Sequence, residues 1–374
     1  MIEVKVFFDS LREQGVVNFS GVPDSLLKDI CAYISDNTAP ENHLITANEG
    51  SAVALSVGQY LATGRPSLVY MQNSGFGNAI NPLLSLADPK VYGIPMIVLV
   101  GWRGEPGVKD EPQHIKQGEI MESLLEACDL HTLIIDAETK GVEELLKTAV
   151  EKSLTDSQPV VLLIRKNTFA PYKIRYPSPD IADGSREDAI KKIVEASNDD
   201  DLFVSTTGMA SRELFETRVK NKQPHERDFL TVGSMGHANM IALGLAQNSE
   251  RYVFCIDGDG ASLMHLGNLT STGQSSAKNL IHILLNNAAH DSVGGQPTCA
   301  TNIDITSMTA ACGYKSSASI SDLNQIKKIV QQFKSIPGPH MLEIKICKGS
   351  RQDLGRPTNS PKYNKELLMS YLTE

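Results

Sequence analysis

The stretch that decides the fold is YVFCIDGDG, residues 252–260, read together with LIHILLNN, residues 280–287. Each begins with an apolar run and ends in glycine or polar residues. Near-continuous apolar runs of this length are typical of strands buried on both faces of a parallel sheet. The chain between them is long enough for one helix. The pair therefore predicts a βαβ unit, in which both strands end at the same edge of the sheet.

Five further apolar runs of this kind occur along the chain. They lie at residues 67–71, 96–100, 160–165, 202–205 and 341–346. Helical periodicity lies between such runs, at residues 143–153, 186–196 and 322–333. This alternation predicts an α/β protein built from doubly wound parallel sheets.

One domain boundary is visible. Residues 169–184 contain three prolines and a glycine with little periodicity, which predicts a linker. The chain then divides into a first domain at 1–168 and a second at 185–374. Each part holds several strands and helices, and the short linker leaves no room for a middle domain.

Composition excludes several classes of protein. Of the 374 residues, 41% are apolar and 21% are charged, so the chain is not disordered. The net charge is −9 and no block of Lys and Arg offsets it, so we expect no nucleic-acid partner. No apolar run could span a bilayer and no signal peptide is visible, so we expect no membrane association. Six scattered cysteines lack CxxC or zinc spacing, which predicts unpaired thiols in a reducing cytoplasm.

Polar groups follow the two strands of the βαβ unit. Asp259 and the pair Asn286 and Asn287 are predicted to face one crevice, and carboxylate, amide and carbonyl oxygens suit Mg²⁺ with phosphate oxygens. Gly258 and Gly260 would let a diphosphate approach the backbone. The alternative is a dinucleotide-binding turn of the Rossmann type. That turn would need a third glycine, and an acidic residue inside it would repel a pyrophosphate unless a metal ion intervened.

The Gly-Asp-Gly motif at 258–260 and the Asn pair at 286–287 are separated by the 25 residues 261–285. This pattern resembles the fingerprint of the thiamine diphosphate-dependent decarboxylase superfamily. The resemblance implies a thiamine diphosphate-binding fold, with a pyrimidine-binding first domain and a diphosphate-binding second domain. It implies three protein ligands for Mg²⁺, with Asn286 an open alternative to the second: Asp259, Asn287 and the carbonyl of Ala289. Further expected cofactor contacts are Gly208, Gly258, Gly260 and Ala261.

The resemblance also implies a glutamate in the first domain. Glu49 follows a short apolar segment and precedes a helix predicted to begin near Ser51. It would hydrogen-bond N1′ of the aminopyrimidine and so promote deprotonation of C2 of the thiazolium. Taken alone, Glu49 would be interpreted as a helix-capping acid.

Residues 233–238, GSMGHA, resemble the superfamily segment whose bulky apolar residue separates the two rings of the cofactor. Met235 is the residue that we expect there, with Ser234 and Gly236 also contacting the cofactor. The alternative is that Met235 only fills the core. His237 would contact cofactor or substrate, or serve as an ordinary polar residue.

Polar, glycine-rich loops follow three predicted strands, at residues 20–25, 72–78 and 102–114. Since all three lie at carboxyl ends of strands, all can reach the same crevice. Asn73, in the second loop, is expected to contact the cofactor. Asp24, in the first loop, is a candidate for proton transfer.

The third loop carries the cations Arg103 and Lys109 and also His114. These groups suit a doubly anionic substrate, and His114 is a further candidate for proton transfer, as is His290. The alternative is that the cations pair with the acidic residues of the same loop.

Six segments together resemble the phosphonopyruvate decarboxylases over most of the chain. These segments are 21–28, 73–86, 103–118, 206–215, 229–236 and 290–297. The resemblance implies removal of CO₂ from 3-phosphonopyruvate to give phosphonoacetaldehyde, as in phosphonate biosynthesis. It also implies a homo-oligomer, at least a dimer, with the cofactor between subunits.

Three other activities stay open. A sulfopyruvate decarboxylase would share the cofactor residues. A carboligase of the acetolactate type would keep the cofactor chemistry, although the absence of a middle domain counts against it. A nucleotide-binding Rossmann-type module without decarboxylase activity is a third possibility. The missing third glycine and the presence of Glu49 count against it.

Overall fold

The structure is a computed structural model that describes residues 1–373. By their contacts, the residues form two compact units. The first comprises Met1–Ser178 with Ser292–Gln296, and the second comprises residues 179–291 and residues from 297 onward. Each unit contains one six-stranded sheet in which every pairing is parallel.

The first sheet has the strand order β2-β1-β3-β4-β6-β5. Its strands are β1 (Phe19–Gly21), β2 (His43–Ile45), β3 (Leu68–Gln72), β4 (Met96–Gly101), β5 (His131–Ile135) and β6 (Pro159–Ile164). The helices of this unit are α1 (Val4–Glu13), α2 (Lys28–Asn37), α3 (Glu49–Thr63), α4 (Phe76–Pro82), α5 (Pro112–Glu119), α6 (Met121–Ala127) and α7 (Val142–Asp156).

The second sheet has the strand order β11-β12-β10-β9-β7-β8. Its strands are β7 (Leu202–Ser205), β8 (Asp228–Leu230), β9 (Val253–Gly258), β10 (Leu280–Asn286), β11 (Ser316–Ile320) and β12 (His340–Lys345). The helices are α8 (Arg186–Ala196), α9 (Met209–Lys220), α10 (Ala238–Gln247), α11 (Asp259–Met264), α12 (Asn268–Gly273), α13 (Ile305–Cys312), α14 (Ile326–Lys334) and α15 (Pro361–Thr373).

Both sheets are buried on both faces. In β4, Ile97 and Leu99 pack into one apolar cluster, whereas Val98 and Val100 pack into another on the opposite face. Successive side chains of a strand point to opposite faces, so helices must cover each side of the sheet. This arrangement confirms the predicted doubly wound α/β fold without a middle domain.

All seven predicted strands are present, within two residues of the predicted bounds. The predicted helix at 186–196 coincides with α8, and α3 begins at Glu49, two residues before the predicted start. Residues 169–184 contain neither helix nor strand. No helix in the described part of the chain combines the length and apolar character needed to cross a bilayer.

Candidate active site

The first unit places Glu49 at the first turn of α3, directly after the edge strand β2 and its short connection. The side chain is only 3% exposed, and its Oε2 accepts a hydrogen bond of 2.8 Å from Asn78 Nδ2 of α4. Burial raises the pKa of Glu49, and the Asn78 hydrogen bond partly opposes this rise. The helix cap is Asn48, whose side chain accepts from Ser51 N. Glu49 is therefore a buried acid that can hold a proton, and the capping role belongs to its neighbour.

The Glu49 carboxyl group lies against Gly75. A Cβ atom at Gly75 would stand 1.9 Å from Glu49 Oε1 and 2.4 Å from Cδ. Real atoms never approach so closely, so only glycine leaves room for this carboxyl group. Gly75 belongs to the short turn that follows β3, which is how the sheet edge fixes the position of Glu49.

Asp24 lies after β1 at the same edge of the sheet and is fully buried. Its carboxyl oxygens accept hydrogen bonds from Leu26 N at 2.9 Å and from Gln72 Nε2 at 2.5 Å. Burial raises the pKa of Asp24, although these hydrogen bonds and the charge of Arg103 oppose the rise. Asp24 is thus a second protonatable acid at the edge that carries Glu49.

Asn73 ties two loops together. Its Nδ2 donates to the carbonyl oxygen of Arg103 at 2.8 Å, and its Oδ1 accepts from Arg103 N at 3.2 Å. Both ends of the amide are therefore used by the loop that follows β4. The contact that the structure shows for Asn73 is a structural one, and its cofactor contact stays a prediction.

The predicted substrate-binding cations differ in their surroundings. Arg103 forms a forked ion pair with Asp110, in which Nε donates to Asp110 Oδ2 at 2.7 Å. Its Nη1 donates to Ser25 Oγ, also at 2.7 Å. Burial opposes ionisation of Asp110, but the hydrogen bonds from Arg103 and from the backbone N–H groups of Glu111 and Gly104, with the charge of Arg103, together outweigh it and lower the pKa of Asp110. Arg103 is thus paired within the loop, as the alternative interpretation expected, whereas Lys109 is exposed.

His114 lies in α5 and is mostly buried. No hydrogen-bond partner within residues 1–373 reaches its Nδ1. Burial and the nearby charge of Arg103 lower the pKa of His114, so the neutral imidazole is favoured. A neutral imidazole with an unpartnered ring nitrogen is suited to hydrogen-bond a ligand.

In the second unit, the Gly-Asp-Gly turn and the Asn pair lie side by side. Gly258, the last residue of β9, pairs in register with Leu285 of β10. Asp259 begins α11 directly beyond this pair, and Asn287 follows the end of β10. The backbone N–H of Asn287 is among the groups that hydrogen-bond the Asp259 carboxylate. The two predicted metal ligands are therefore neighbours.

Asp259 is 4% exposed, and its Oδ2 accepts a hydrogen bond of 2.5 Å from Thr298 Oγ1. Burial raises the pKa of Asp259 to about 6. Among residues 1–373, no Lys, Arg or His forms an ion pair with this carboxylate. A buried carboxylate without a cationic side chain is a favourable place for a bound cation.

The two asparagines have different environments. Asn286 Nδ2 donates to Glu343 Oε1 of β12 at 2.7 Å, and its Oδ1 accepts from Ala288 N at 3.0 Å. Asn287 Nδ2 donates to Asp291 Oδ2 at 2.7 Å. The partners differ, but in both asparagines Nδ2 donates to a carboxylate and Oδ1 accepts from the backbone N–H two residues further on. These bonds do not distinguish the two residues, and the choice of Asn287 as the metal ligand stays a prediction.

The backbone after the Asn pair is unusual. Ala288 has a φ of 56°, a left-handed conformation that a buried residue with a side chain rarely adopts. Ala289 N donates to Asn287 Oδ1 at 3.0 Å, and Ala289 pairs with Pro297 as an isolated bridge. Backbone strain of this kind clusters at ligand-binding sites, and the carbonyl of the next residue, Ala289, stays a predicted metal ligand.

Met235 and His290 meet at Gly260. A Cβ atom at Gly260 would lie 3.1 Å from His290 Nδ1 and 3.5 Å from Met235 Cε. Burial lowers the pKa of His290 to about 4, so its imidazole is neutral near pH 7. Met235 therefore reaches the turn that carries Asp259, and its place between the rings of the cofactor stays a prediction.

The remaining predicted cofactor contacts lie near this turn or near the ends of β7 and β8. Ser234 and Gly236 have positive φ values of 54° and 87°. Gly236 lies beside Ala261, whose carbonyl oxygen would be 2.9 Å from a Cβ atom at Gly236. Gly208, with φ of 93°, precedes α9 after the end of β7.

Two buried hydroxyl groups strengthen this part of the site. Thr206 follows β7 and Thr231 follows β8, and within the described residues neither Oγ1 has a hydrogen-bond partner. Unsatisfied buried polar groups are uncommon and indicate a missing partner. Each hydroxyl could donate a hydrogen bond to a phosphate oxygen, and the Asp259, Asn287 and Ala289 oxygens are of the kind that Mg²⁺ binds.

Sequence reasoning missed the residues that hold the site together. Asn78, Gly75, Thr298 and Asp291 contact predicted site residues across 4 to 39 positions of sequence. A polar side chain in a helix or loop carries no sequence signal of such a contact. The only indications were that Gly75 and Asn78 belong to the polar 72–78 loop and that Asp291 belongs to the 290–297 segment.

Comparison of the sequence with known protein families assigns a family to each of the two units. Residues 3–125 match "Thiamine pyrophosphate enzyme, N-terminal TPP binding domain", and residues 206–344 match "Thiamine pyrophosphate enzyme, C-terminal TPP binding domain". This is the domain composition of a thiamine pyrophosphate-dependent enzyme. The predicted cofactor, thiamine diphosphate, is thereby confirmed.

The most similar curated proteins in this comparison include three decarboxylases. Phosphonopyruvate decarboxylase of Streptomyces viridochromogenes is 34% identical over 363 residues, covering 93% of this chain and 89% of the relative. Phosphonopyruvate decarboxylase of Streptomyces hygroscopicus is 30% identical, covering 100% and 95%. Sulfopyruvate decarboxylase of Methanosarcina acetivorans is 30% identical, covering 94% and 91%. The chain belongs to the phosphonopyruvate decarboxylase family, and it is a thiamine diphosphate-dependent decarboxylase.

Proposed function

We propose that the protein decarboxylates 3-phosphonopyruvate to phosphonoacetaldehyde and CO₂, with thiamine diphosphate and Mg²⁺, in phosphonate biosynthesis. The observation that carries the proposal is the 34% identity, over nearly the whole of both chains, to a phosphonopyruvate decarboxylase. The Glu49 and Asp259 sites support it, since one belongs to each cofactor-binding domain.

Glu49 is proposed to exchange a proton with N1′ of the aminopyrimidine. Its burial favours the protonated carboxyl group, which can donate a hydrogen bond to a ring nitrogen. Asn78 and Gly75 hold the carboxyl group in one position. Thiamine diphosphate, when bound, supplies the electron sink that accepts the electron pair left by departing CO₂.

Asp259, Asn287 and the Ala289 carbonyl are proposed to hold Mg²⁺. Their oxygens are the hard ligands that Mg²⁺ prefers, and the diphosphate would complete the coordination. The turn at 258–261, Gly208, Ser234 and Gly236 would contact the diphosphate or the rings, with Met235 between the rings. Asn73 would act on the cofactor from the first domain.

The 102–114 loop is proposed to bind the anionic end of the substrate. Asp110 and Ser25 fix the Arg103 side chain, so this cation is held in place rather than mobile. Lys109 adds an exposed charge on the same loop. His114 and Asp24 are the proposed proton-transfer groups, because burial favours the neutral form of each.

Sulfopyruvate is the second candidate substrate. The specific observation in its favour is the 30% identity over 374 residues to a sulfopyruvate decarboxylase. Phosphonate and sulfonate groups occupy similar space, and the phosphonate can carry one more negative charge. The cofactor residues do not distinguish them.

The test measures aldehyde release by the purified protein with thiamine diphosphate and Mg²⁺, using 3-phosphonopyruvate, sulfopyruvate and pyruvate in parallel. We expect the highest kcat/KM for 3-phosphonopyruvate. Faster turnover of sulfopyruvate would keep the mechanism and reassign the substrate. No turnover of any keto acid, without cofactor binding, would reject the decarboxylase function.

The role of Glu49 is tested in the same assay with Glu49→Gln. Because glutamine cannot exchange the proton, we expect kcat to fall by about 10²- to 10⁴-fold. The matched control is Glu41→Gln, at an exposed glutamate, which should keep full activity. Equal activity of the two variants would exclude Glu49 from proton transfer.

We further propose a homo-oligomer, at least a dimer, in the cytoplasm. The resemblance to the thiamine diphosphate-dependent decarboxylases supports this assembly, since it implies a cofactor site between subunits. Buried thiols at Cys31, Cys128 and Cys255 suit a reducing compartment. Light scattering on the purified protein measures the molar mass, and we expect at least twice the mass of one chain. The mass of a single chain would reject the dimer.

A further inference from the structure

A polar network leads away from the proposed metal ligand Asn287. Asp291, four residues further along the chain, accepts three hydrogen bonds through its Oδ2 atom. The donors are Asn287 Nδ2 at 2.7 Å, Gly349 N at 2.8 Å and Arg186 Nη1 at 3.4 Å. Asp291 thus joins the loop that follows β10, which carries Asn287, to Gly349 in the segment after β12 and to Arg186 at the start of α8.

Arg186 is itself held firmly. It is the first residue of α8 and is mostly buried. Its guanidinium forms a forked pair with Glu213 of α9, at 2.8 and 3.2 Å, and also donates to the carbonyl oxygen of Gly349 at 3.3 Å. A forked Arg–carboxylate pair fixes direction as well as distance. Two helices therefore define where Asp291 lies.

We propose that Asp291 is a positioning residue that sets the orientation of the Asn287 amide, with Arg186 and Glu213 as its support. This inference rests on the proposed function, because it takes Asn287 as a ligand of Mg²⁺. A carboxylate can only accept hydrogen bonds, so Asp291 forces the NH₂ group of Asn287 toward itself. The Oδ1 atom must then face the opposite way.

The orientation matters because only one end of an amide binds a metal ion. Rotation of the Asn287 side-chain amide by half a turn would present NH₂ to Mg²⁺, which takes oxygen ligands. Asn287 Oδ1 already accepts from Ala289 N at 3.0 Å, which leaves its second lone pair for the ion. Residues that orient metal ligands typically change metal affinity by about 10- to 100-fold when mutated.

The experiment measures the dissociation constant of Mg²⁺ by titration calorimetry, with saturating thiamine diphosphate, on the full chain. We expect Asp291→Ala to raise this constant by about 10- to 100-fold. We expect Asp291→Asn to raise it less, because its Oδ1 can still accept from Asn287. Since the ligand is misoriented rather than lost, excess Mg²⁺ should restore kcat in both variants.

The matched control is Asp353→Asn. Asp353 lies in the same C-terminal segment and pairs with Arg351, but its side chain is 82% exposed. It should leave the Mg²⁺ dissociation constant unchanged. The melting temperature without Mg²⁺ is recorded for each variant, because a merely structural network would lower it and leave Mg²⁺ affinity unaltered.

The outcomes separate this inference from the proposed function. If the parent protein binds neither Mg²⁺ nor thiamine diphosphate, the proposed function fails first. If the parent protein binds both and Asp291→Ala and Asp291→Asn bind Mg²⁺ as tightly, only the positioning role is overturned. Should Asp291→Ala not fold, the isosteric Asp291→Asn variant decides the question by its Mg²⁺ dissociation constant.

Discussion

At the scale of single residues, the position of the Glu49 carboxyl group depends on the missing side chain of Gly75. A methyl group there would overlap Glu49 Oε1, so Gly75→Ala must displace the carboxyl group. Since small displacements of a reacting group can cost about 10²-fold, we expect kcat to fall by about that factor. Steady-state kinetics with saturating cofactor would measure it.

The control for Gly75→Ala lies two residues away. Gly77 is in α4, and a Cβ atom there would meet no atom within 4 Å. Gly77→Ala should keep full activity and leave stability unchanged or slightly higher, since alanine favours helix by up to about 1 kcal/mol. Equal kinetics for the two variants would show that Glu49 tolerates displacement.

Sequence motifs were sufficient to single out several of the residues that the structure groups together. Asp259 and Asn287 could be predicted to meet because parallel strands share one carboxyl edge. Glu49 needed the motif in the other domain as well, because a lone acid at a helix start is usually a cap. Arg103 illustrates the limit, since its pairing with Asp110 depends on how the loop folds.

At the scale of elements, α3 positions Glu49, and its start depends on Asn48. The Asn48 side chain accepts a hydrogen bond of 2.9 Å from Ser51 N, which satisfies one free donor of the first turn. Asn48→Ala should therefore lower the free energy of unfolding by about 1 kcal/mol. Urea denaturation would measure the loss.

Asn48→Asp is the comparison for this capping prediction. Aspartate caps a helix as well as asparagine does, and its negative charge is favourable at a helix N-terminus. The Asp variant should thus keep the stability that the Ala variant loses. Identical unfolding curves for both variants would mean that α3 does not depend on its cap.

Five strands lie outside the seven predicted apolar runs. Four of them, β2, β5, β8 and β11, lie at the edge of a sheet, and the exception is the three-residue strand β1. An edge strand has one neighbour and is shorter or partly exposed, so it lacks the continuous apolar run that marks β4 or β10. Burial on both faces gives long central strands a continuous apolar run that the sequence shows, and edge strands lack such a run because they are not buried in this way.

At the scale of the whole molecule, stability should depend on pH through His43. Burial lowers the pKa of His43 to about 4, from an ordinary value near 6.5. Between these two values the unfolded chain binds a proton that the folded chain does not. The free energy of unfolding therefore falls as pH drops from 6.5 toward 4, by at most about 1.4 kcal/mol per pH unit from this group, and is unaffected above 6.5.

The check compares melting temperatures of the parent protein and His43→Gln at pH 7 and pH 5. Glutamine does not titrate, so the variant should lose less stability on acidification than the parent protein. Any change in stability that is the same at both pH values reflects the lost contact with Tyr70, whose hydroxyl lies 2.8 Å from His43 Nε2. An unchanged difference between the two pH values would exclude His43 as the acid-sensitive group.

The sequence by itself predicted the fold class and the cofactor, which are confirmed, and it singled out candidate residues for each site, whose roles stay proposals. Apolar runs indicate strands that are buried on both faces. The Gly-Asp-Gly and Asn-Asn motifs indicate a cofactor-binding site at the carboxyl ends of two adjacent strands. Tertiary structure alone decided which polar groups are already satisfied, namely Asn73 by the Arg103 backbone, Asn286 by Glu343 and Arg103 by Asp110. The reason is that hydrogen bonds and ion pairs depend on ångström distances between residues far apart in sequence, which no local pattern encodes.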